Sequence, residues 1–336
     1  MQIKKVIIDC DTGVDDAMAL LLALRSLALD VLGITTVAGN ATLDKVVRNT
    51  LVVVEQAERD VPVYPGAVRP LMGAWTTAEN AHGSDGLGDV GFPDPQSAAA
   101  DMHAVDYLIE TFLEAEEPVH LITLAPLTNV ALALAKAPEL EEKIASLVMM
   151  AGGINGGNVT AAAEFNVWVD PEAADIVFRS AIPKTMVGLE PIRLYGGITS
   201  EDVDQLEAKQ TPWCQMIGRL LRHRLIAWGK ITGEIRPTTP PDLAAMGIAI
   251  DPTLADATLY HVAIETNGAH TRGMTLADRR SYRRLIDDAL EPNVNVVTHI
   301  DNARYRRLVL DTLLQDPSTD EVYASQTDKS QPATHN

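Results

Sequence analysis

Val6-Ile7-Ile8-Asp9-Cys10-Asp11-Thr12-Gly13-Val14-Asp15-Asp16 is the stretch that decides the fold. Three apolar residues run straight into an acid, the pattern of a buried parallel strand ending at a functional edge. Asp15 to Ala28 then reads as a helix, with Asp15 and Asp16 in its first turn, where carboxylates suit the positive end of the helix dipole. Val31 to Val37 is a second apolar run, and Thr42 to Glu58 a second helix. Strand, helix, strand predicts a parallel pair joined by a right-handed crossover.

The same rhythm continues outward. Strands are expected at 119–124, 147–150 and 185–189, with helices at 127–135, 171–180, 201–208 and 211–228. Strands at 258–265 and 294–298 and a helix at 301–314 complete the pattern. The expectation is a single α/β domain over residues 1–315, a mostly parallel central sheet flanked by helices, with its site at the carboxyl ends of the strands. Residues 64–95 are rich in Gly, Pro, Asp and Asn without a regular period, which predicts a lid or binding loop. Residues 316–336 are polar and predict a disordered tail.

At 336 residues and 46% hydrophobic, the chain can bury a full core without staples. A net charge of -19 predicts repulsion of nucleic acid polymers and anionic membranes. No stretch reaches the ~18 apolar residues of a membrane span. Met1 to Lys5 run directly into the first strand without the apolar core of an export signal. Cys10 and Cys214 make no disulfide framework, so the expected compartment is the reducing cytoplasm.

Asp9, Asp11, Asp15 and Asp16 place four carboxylates within eight residues at a strand-to-helix junction. Their repulsion is most simply relieved by a hard cation with oxygen ligands. Gly13 is expected to permit the tight turn that lets both pairs of acids converge. A plainer alternative is a solvated helix start with capping acids. An apolar strand followed by Asp-x-Asp also resembles the opening of haloacid-dehalogenase-type phosphatases, where Asp9 would accept a phosphoryl group. That pattern continues Gly-Thr, whereas this chain has Thr12-Gly13 and two further acids that disfavour an approaching phosphate.

The cluster more closely resembles the Asp-x-Asp-x-Gly-x-Asp-Asp box of the inosine-uridine-preferring nucleoside hydrolase family. Further segments match in order. Thr36-Val37-Ala38-Gly39-Asn40 follows the second strand. Leu124-Ala125-Pro126-Leu127-Thr128-Asn129 is similar to the family's Gly-Pro-Leu-Thr-Asn turn, with Ala125 in place of Gly. Met150-Ala151-Gly152-Gly153, Asn158-Val159-Thr160, Ala163-Glu164-Phe165-Asn166 and Asp170-Pro171-Glu172-Ala173 resemble its central motif. Pro241-Asp242-Leu243-Ala244 resembles its His-Asp-Pro-Leu-Ala segment, and Arg272-Gly273-Met274-Thr275 fits a late strand. The resemblance spans residues 3 to 314 and implies a Rossmann-like fold.

It also implies Ca2+-dependent hydrolysis of ribonucleosides to ribose and free base. Calcium would be held by Asp11, Asp16, the Leu124 backbone carbonyl and Asp242, an all-oxygen set suited to a hard cation. Asp11 would also be the general base for a metal-bound water, with Asn40 orienting that water. Asp15, Asn158, Glu164 and Asn166 would bind ribose hydroxyls. Glu164 and Asn166 alternate around Phe165, which predicts both on one side of an extended segment. Related enzymes are homodimers or homotetramers, and the same state is expected.

The pattern breaks at the leaving group. The family's His before the late Asp is Pro241 here, and proline cannot donate a proton. Candidates for base contact are His82 in the lid, and His223 and Trp228 in the long helix. Glu190-Pro191-Ile192-Arg193 stands where the family often has Asp-Val-Thr, which predicts a changed pocket wall or a support behind it. Loss of the acid also leaves open a non-catalytic nucleoside- or ribose-binding homologue.

Overall fold

The computed structural model describes residues 3–193, 197–281 and 290–315, so the tail expected at 316–336 lies outside the described residues. The chain opens with β1 (Lys4–Cys10), α1 (Val14–Arg25), β2 (Leu29–Thr36), α2 (Leu43–Gln56) and β3 (Val63–Pro65). There follow α3 (Glu79–His82), α4 (Ala104–Glu114), β4 (Val119–Thr123), α5 (Thr128–Lys136), α6 (Leu140–Lys143) and β5 (Ile144–Met150). The middle of the chain forms α7 (Phe165–Val169), α8 (Pro171–Arg179), β6 (Lys184–Val187), α9 (Leu189–Arg193), α10 (Ser200–Ala208), α11 (Pro212–Thr232) and α12 (Pro241–Ile250). The last elements are β7 (Ala255–Tyr260), β8 (Val262–Ile264), β9 (Thr275–Ala277), β10 (Val294–Ile300) and α13 (Asn302–Leu313).

The main sheet runs β3-β2-β1-β4-β5-β6-β10-β7. Every pairing in it is parallel except the antiparallel edge between β10 and β7. The chain therefore starts in the sheet's interior, winds outward to β3, then returns to the other side of β1 as β4. Such a reversal of strand order leaves a crevice beyond the carboxyl ends of the two strands, where ligands bind in open α/β sheets. Asp9 pairs with Thr123 across β1 and β4, so the acidic box and the Leu124 turn leave the sheet side by side.

Alternation along β1 explains why both faces are covered. Val6, Ile8 and Cys10 enter one core cluster and Ile7 the other. Every residue of α1 is buried, as is every residue of α12 after Pro241. That accounts for the nearly unbroken apolar run Ala17 to Leu24, since a helix enclosed on all sides has no polar face to write. Among the described residues no helix is long and apolar enough to cross a membrane.

Three local expectations are corrected. The strand expected at 258–265 is two strands in two sheets. β7 pairs with β10, whereas β8 pairs with β9 in a separate ribbon. The chain changes partner at His261, whose carbonyl accepts from the Asp278 N–H. Glu164 and Asn166 do not alternate along an extended segment. Glu164 is the N-cap of α7, its carboxylate accepting from the Asn166 and Val167 amides. Gly13 has an ordinary extended φ of -100° and is not needed for a left-handed turn. It is needed for room, because a Cβ there would lie 2.4 Å from His82 Nδ1.

Candidate active site

The acidic box is held by hydrogen bonds that the turn itself supplies. Asp16, in the first turn of α1, accepts from the Asp11 N–H at 3.3 Å and the Gly13 N–H at 3.0 Å. Asn40 bridges the two acids: its backbone N–H donates to Asp11 Oδ2 at 2.6 Å and its side-chain amide to Asp16 Oδ2 at 2.9 Å. Gly39 makes the first of these possible, since a Cβ at that position would lie 2.1 Å from Asp11 Oδ2. Asp242 arrives from the first turn of α12. Asp15, Asp16 and Asp242 each offer a carboxylate oxygen within 4.8 Å of the others.

Three like charges that close repel by roughly 3–4 kcal/mol per pair at an effective dielectric near 20. Three of the acids respond as crowded, buried carboxylates do. Burial, then the Asp16 charge, pushes Asp11 well above the ordinary carboxylate range. Burial, then the charges of Asp15, Asp16, Asp11 and Glu164, does the same to Asp242. Asp16 is pushed up to about 7 by burial and Asp15. Among the described residues, Asp11 Oδ1 and Asp15 Oδ1 are buried without a hydrogen-bond partner. Two orphaned oxygens, and all-oxygen donors from two helix starts and a strand end, fit a hard divalent cation. The Leu124 carbonyl accepts from the Asn166 amide at 2.9 Å and keeps a second lone pair.

Above the acids lies a cleft of about 450 Å³. Its wall includes Asp15, Asn40, Leu124, Asn158, Glu164, Asn166 and Asp242, so all four expected ribose residues face one space. Asp11 and Asp16 lie behind that wall, fully enclosed. Glu164 also accepts from the Gly152 N–H, and Asn166 donates to the Leu124 and Met150 carbonyls, which ties α7 to the ends of β4 and β5. The exposed Asn158 accepts from the Phe165 N–H through its carboxamide oxygen.

His82 and Pro241 complete the opposite wall. His82 Nδ1 accepts from the Val14 N–H at 3.0 Å, which leaves Nε2 as the proton-bearing nitrogen. Burial lowers the pKa of the ring, so it stands neutral. His223 is not in the wall; its ring lies against Gly88. The side chain of Trp228 lies outside the described residues. Glu190 is not a wall residue either, and its Oε1 accepts from the Asn155 N–H at 2.7 Å, bracing the loop that carries Asn158.

Several wall residues were not anticipated. Phe165 and Trp168, ring centroids 6.4 Å apart, both line the cleft from α7. Their three-residue spacing would have exposed them had the segment been read as helical. Thr76, Thr77 and Asn80 line it from the lid, with no periodicity to announce them. Arg224, outside the wall but with its Nη1 3.9 Å from Asp15 Oδ2, looks in the sequence like one of three arginines on a helix.

Asp9 plays a different part from its neighbours. One of its oxygens accepts from Thr35 Oγ1 at 2.6 Å and Asn129 Nδ2 at 2.8 Å, while burial pushes its carboxyl up to about 7. Asn129 also donates to the Thr36 carbonyl and accepts from the Ala67 N–H, joining β1, β2 and the start of the lid. Asn129→Ala should therefore cost about 2–3 kcal/mol in urea unfolding, because it takes one of two donors from the buried Asp9 carboxylate, frees the Thr36 carbonyl and leaves the part-buried Ala67 N–H without its acceptor. A loss under about 0.5 kcal/mol would mean that this junction tolerates solvent.

The sequence family described as inosine-uridine preferring nucleoside hydrolase matches residues 6–307. The chain is 39% identical over 314 residues to the pyrimidine-specific ribonucleoside hydrolase RihA of Escherichia coli (strain SMS-3-5 / SECEC), covering 92% of this chain and 97% of that one. Among solved structures, it resembles a purine-preferring ribonucleoside hydrolase from Gardnerella vaginalis at 31% identity and TM-score 0.84, over 92% of this chain and 98% of that one. It also resembles a plant nucleoside hydrolase, PpNRh1, at 30% identity and TM-score 0.86, over 93% and 99%.

Proposed function

The chain belongs to the inosine-uridine preferring nucleoside hydrolase family and is a nucleoside N-ribohydrolase, and from that premise we propose that it works with calcium and with Asp11 as its base. The observation that carries this reading is the convergence of buried, partly orphaned carboxylates beneath a cleft walled by Asn158, Glu164 and Asn166. Asp11, Asp16, the Leu124 carbonyl and Asp242 would hold the ion. Calcium suits such a set because its large, flexible sphere accommodates several protein oxygens and a diol together. When bound, the ion lowers the pKa of a coordinated water and orients the ribose 2′- and 3′-hydroxyls.

Asp11 has one oxygen fixed by Asn40 and the other without a partner, an arrangement that supports proton acceptance from water at Oδ1. Asn40 keeps that carboxylate aimed, and its amide can orient the attacking water. Attack at C1′ breaks the N-glycosidic bond through an oxocarbenium-like state, which nearby carboxylates stabilise. Asp15, Asn158, Glu164 and Asn166 read the ribose hydroxyls. At the leaving group, Pro241 offers no proton. A neutral His82 can donate a hydrogen bond from Nε2 to the departing base but is not a strong acid. The same reading carries a homodimer or homotetramer, in which the exposed Leu259 and Leu276 on β7 and β9 could be covered.

The test is ribose release from inosine, adenosine, guanosine, uridine and cytidine by the calcium-loaded protein. The panel spans both base classes because the relatives' names divide between pyrimidine and purine substrates. Release from at least one, abolished by a chelator, is expected. Tight binding of a nucleoside with no release would favour the non-catalytic reading that Pro241 suggests.

A further inference from the structure

Asp15, Asp16 and Asp242 each bring a carboxylate oxygen within 4.8 Å of the others, so proximity alone does not say which of them serve a cation. Their neighbours differ. Among the described residues, the side chains that reach this trio at ion-pair distance both reach Asp15. His82 Nδ1 lies 3.7 Å from Oδ1, but that nitrogen already accepts the Val14 N–H and the ring brings no charge. Arg224 Nη1 lies 3.9 Å from Oδ2, and a guanidinium brings a positive charge.

Arg224 is anchored at its other edge. Its Nε donates to Thr238 Oγ1 at 3.1 Å. Thr238 is held in turn by paired backbone hydrogen bonds with Ile198, at 2.8 and 3.0 Å, and stands four residues ahead of Asp242. The guanidinium thus spans the two helix starts that carry the acids. Its side chain is 17% exposed and that of Asp15 is 11% exposed, so water screens the pair little. A carboxylate oxygen facing a guanidinium is a poor donor to a metal ion, because the two cations compete for it and repel each other.

We propose that Arg224 is a positioning residue that assigns Asp15 to the substrate: braced on Thr238, it withholds the Asp15 carboxylate from the cation and keeps it turned to the ribose hydroxyls. The ribose half of this inference rests on the proposed hydrolysis, and the cation half on the proposed calcium site alone. Asp16 and Asp242, facing no guanidinium, are left to the ion.

The two halves predict changes of opposite sign. Calcium binding to substrate-free protein, by calorimetry, should tighten about tenfold in Arg224→Ala, because a like charge leaves and Asp15 is released. The KM for a ribonucleoside should rise about tenfold in the same variant, with kcat within about threefold of the parent. Arg224→Lys keeps the charge but on a single nitrogen that cannot span Thr238 and Asp15 as the guanidinium does, so its calcium affinity should stay near the parent's and its KM should fall between the two. Thr238→Val keeps the guanidinium but removes its anchor, so KM should rise with calcium affinity unchanged. Weaker calcium binding in Arg224→Ala, or a loss confined to kcat, overturns the proposal. If Arg224→Ala does not fold, the Lys and Thr238 variants decide, and a calcium affinity altered as much by Thr238→Val as KM is also overturns it. Should the parent release no ribose from any nucleoside, the proposed function fails while the calcium measurement still tests Arg224.

Discussion

Replacing Asp11 by alanine is expected to lower kcat for ribose release at least about 10³-fold, the scale of losing a positioned base together with an oxygen ligand. The geometry argues for so large an effect. Asp11 is fully buried, one oxygen is fixed by the Asn40 amide, and the other has no hydrogen-bond partner among the described residues. Asp11→Asn preserves the shape and removes the charge, so it should lose nearly as much. Asp9→Asn is the control, because Asp9 is tied to Thr35 and Asn129 and absent from the cleft wall. It should cost stability and leave kcat within about tenfold. An Asp11→Ala protein retaining a tenth of the parent's kcat would remove the base from the mechanism.

Withdrawing the cation should make the protein less stable as pH rises from 5.5 to 8, the reverse of ordinary acid denaturation. Asp9, Asp16 and Glu164 are each pushed up to about 7 in the fold, burial being the first cause in all three. Asp11 and Asp242 are pushed up as well. A carboxyl whose pKa is higher folded than unfolded holds its proton more tightly in the native state. Its contribution to stability is therefore complete below about pH 4 and is lost as pH climbs through about 7. In the chelated protein, Tm should fall by at least about 5 °C between pH 5.5 and 8. Calcium at about 100 times its Kd adds about 2.7 kcal/mol, which should restore about 5 °C. The restoration should be larger at pH 8, because the ligands must be deprotonated to bind. His82, neutral in the fold through burial, works in the opposite direction: it favours the native state above about pH 6.5 and less below it. One histidine against five carboxyls does not change the sign. A chelated protein that melts higher at pH 8 than at 5.5, and ignores added calcium, would sink this account.

The residues that chemistry makes conspicuous were legible before any coordinates. Apolar runs ending in acids announced β1 and the switch-point crevice, because a strand buried on both faces has no other way to be written. The four residues proposed to read the ribose emerged from ordered motifs, and all four face one cleft. Legibility failed where side chains act without a period. Thr76, Thr77 and Asn80 lie in an irregular lid, and α7 is a single short turn of helix after a capping glutamate. His223 is the conspicuous residue type on α11, yet it packs against Gly88, while Arg224 beside it reaches Asp15. One position along a helix turns a side chain by about 100°, and only packing decides which of two neighbours faces the site.

The sequence by itself determined the parallel α/β order, the enclosure of α1, and the presence of a carboxylate box needing a counter-charge, because burial pattern and charge density are properties of neighbours in the chain. Only the tertiary structure decided how those carboxylates divide. Asp242 is 226 residues from Asp16 along the chain, and Arg224 is 209 from Asp15, yet α1, α11 and α12 bring all four together. Coulomb interactions depend on distance in space and on burial, so the roles of otherwise identical aspartates are settled by which helix packs against which.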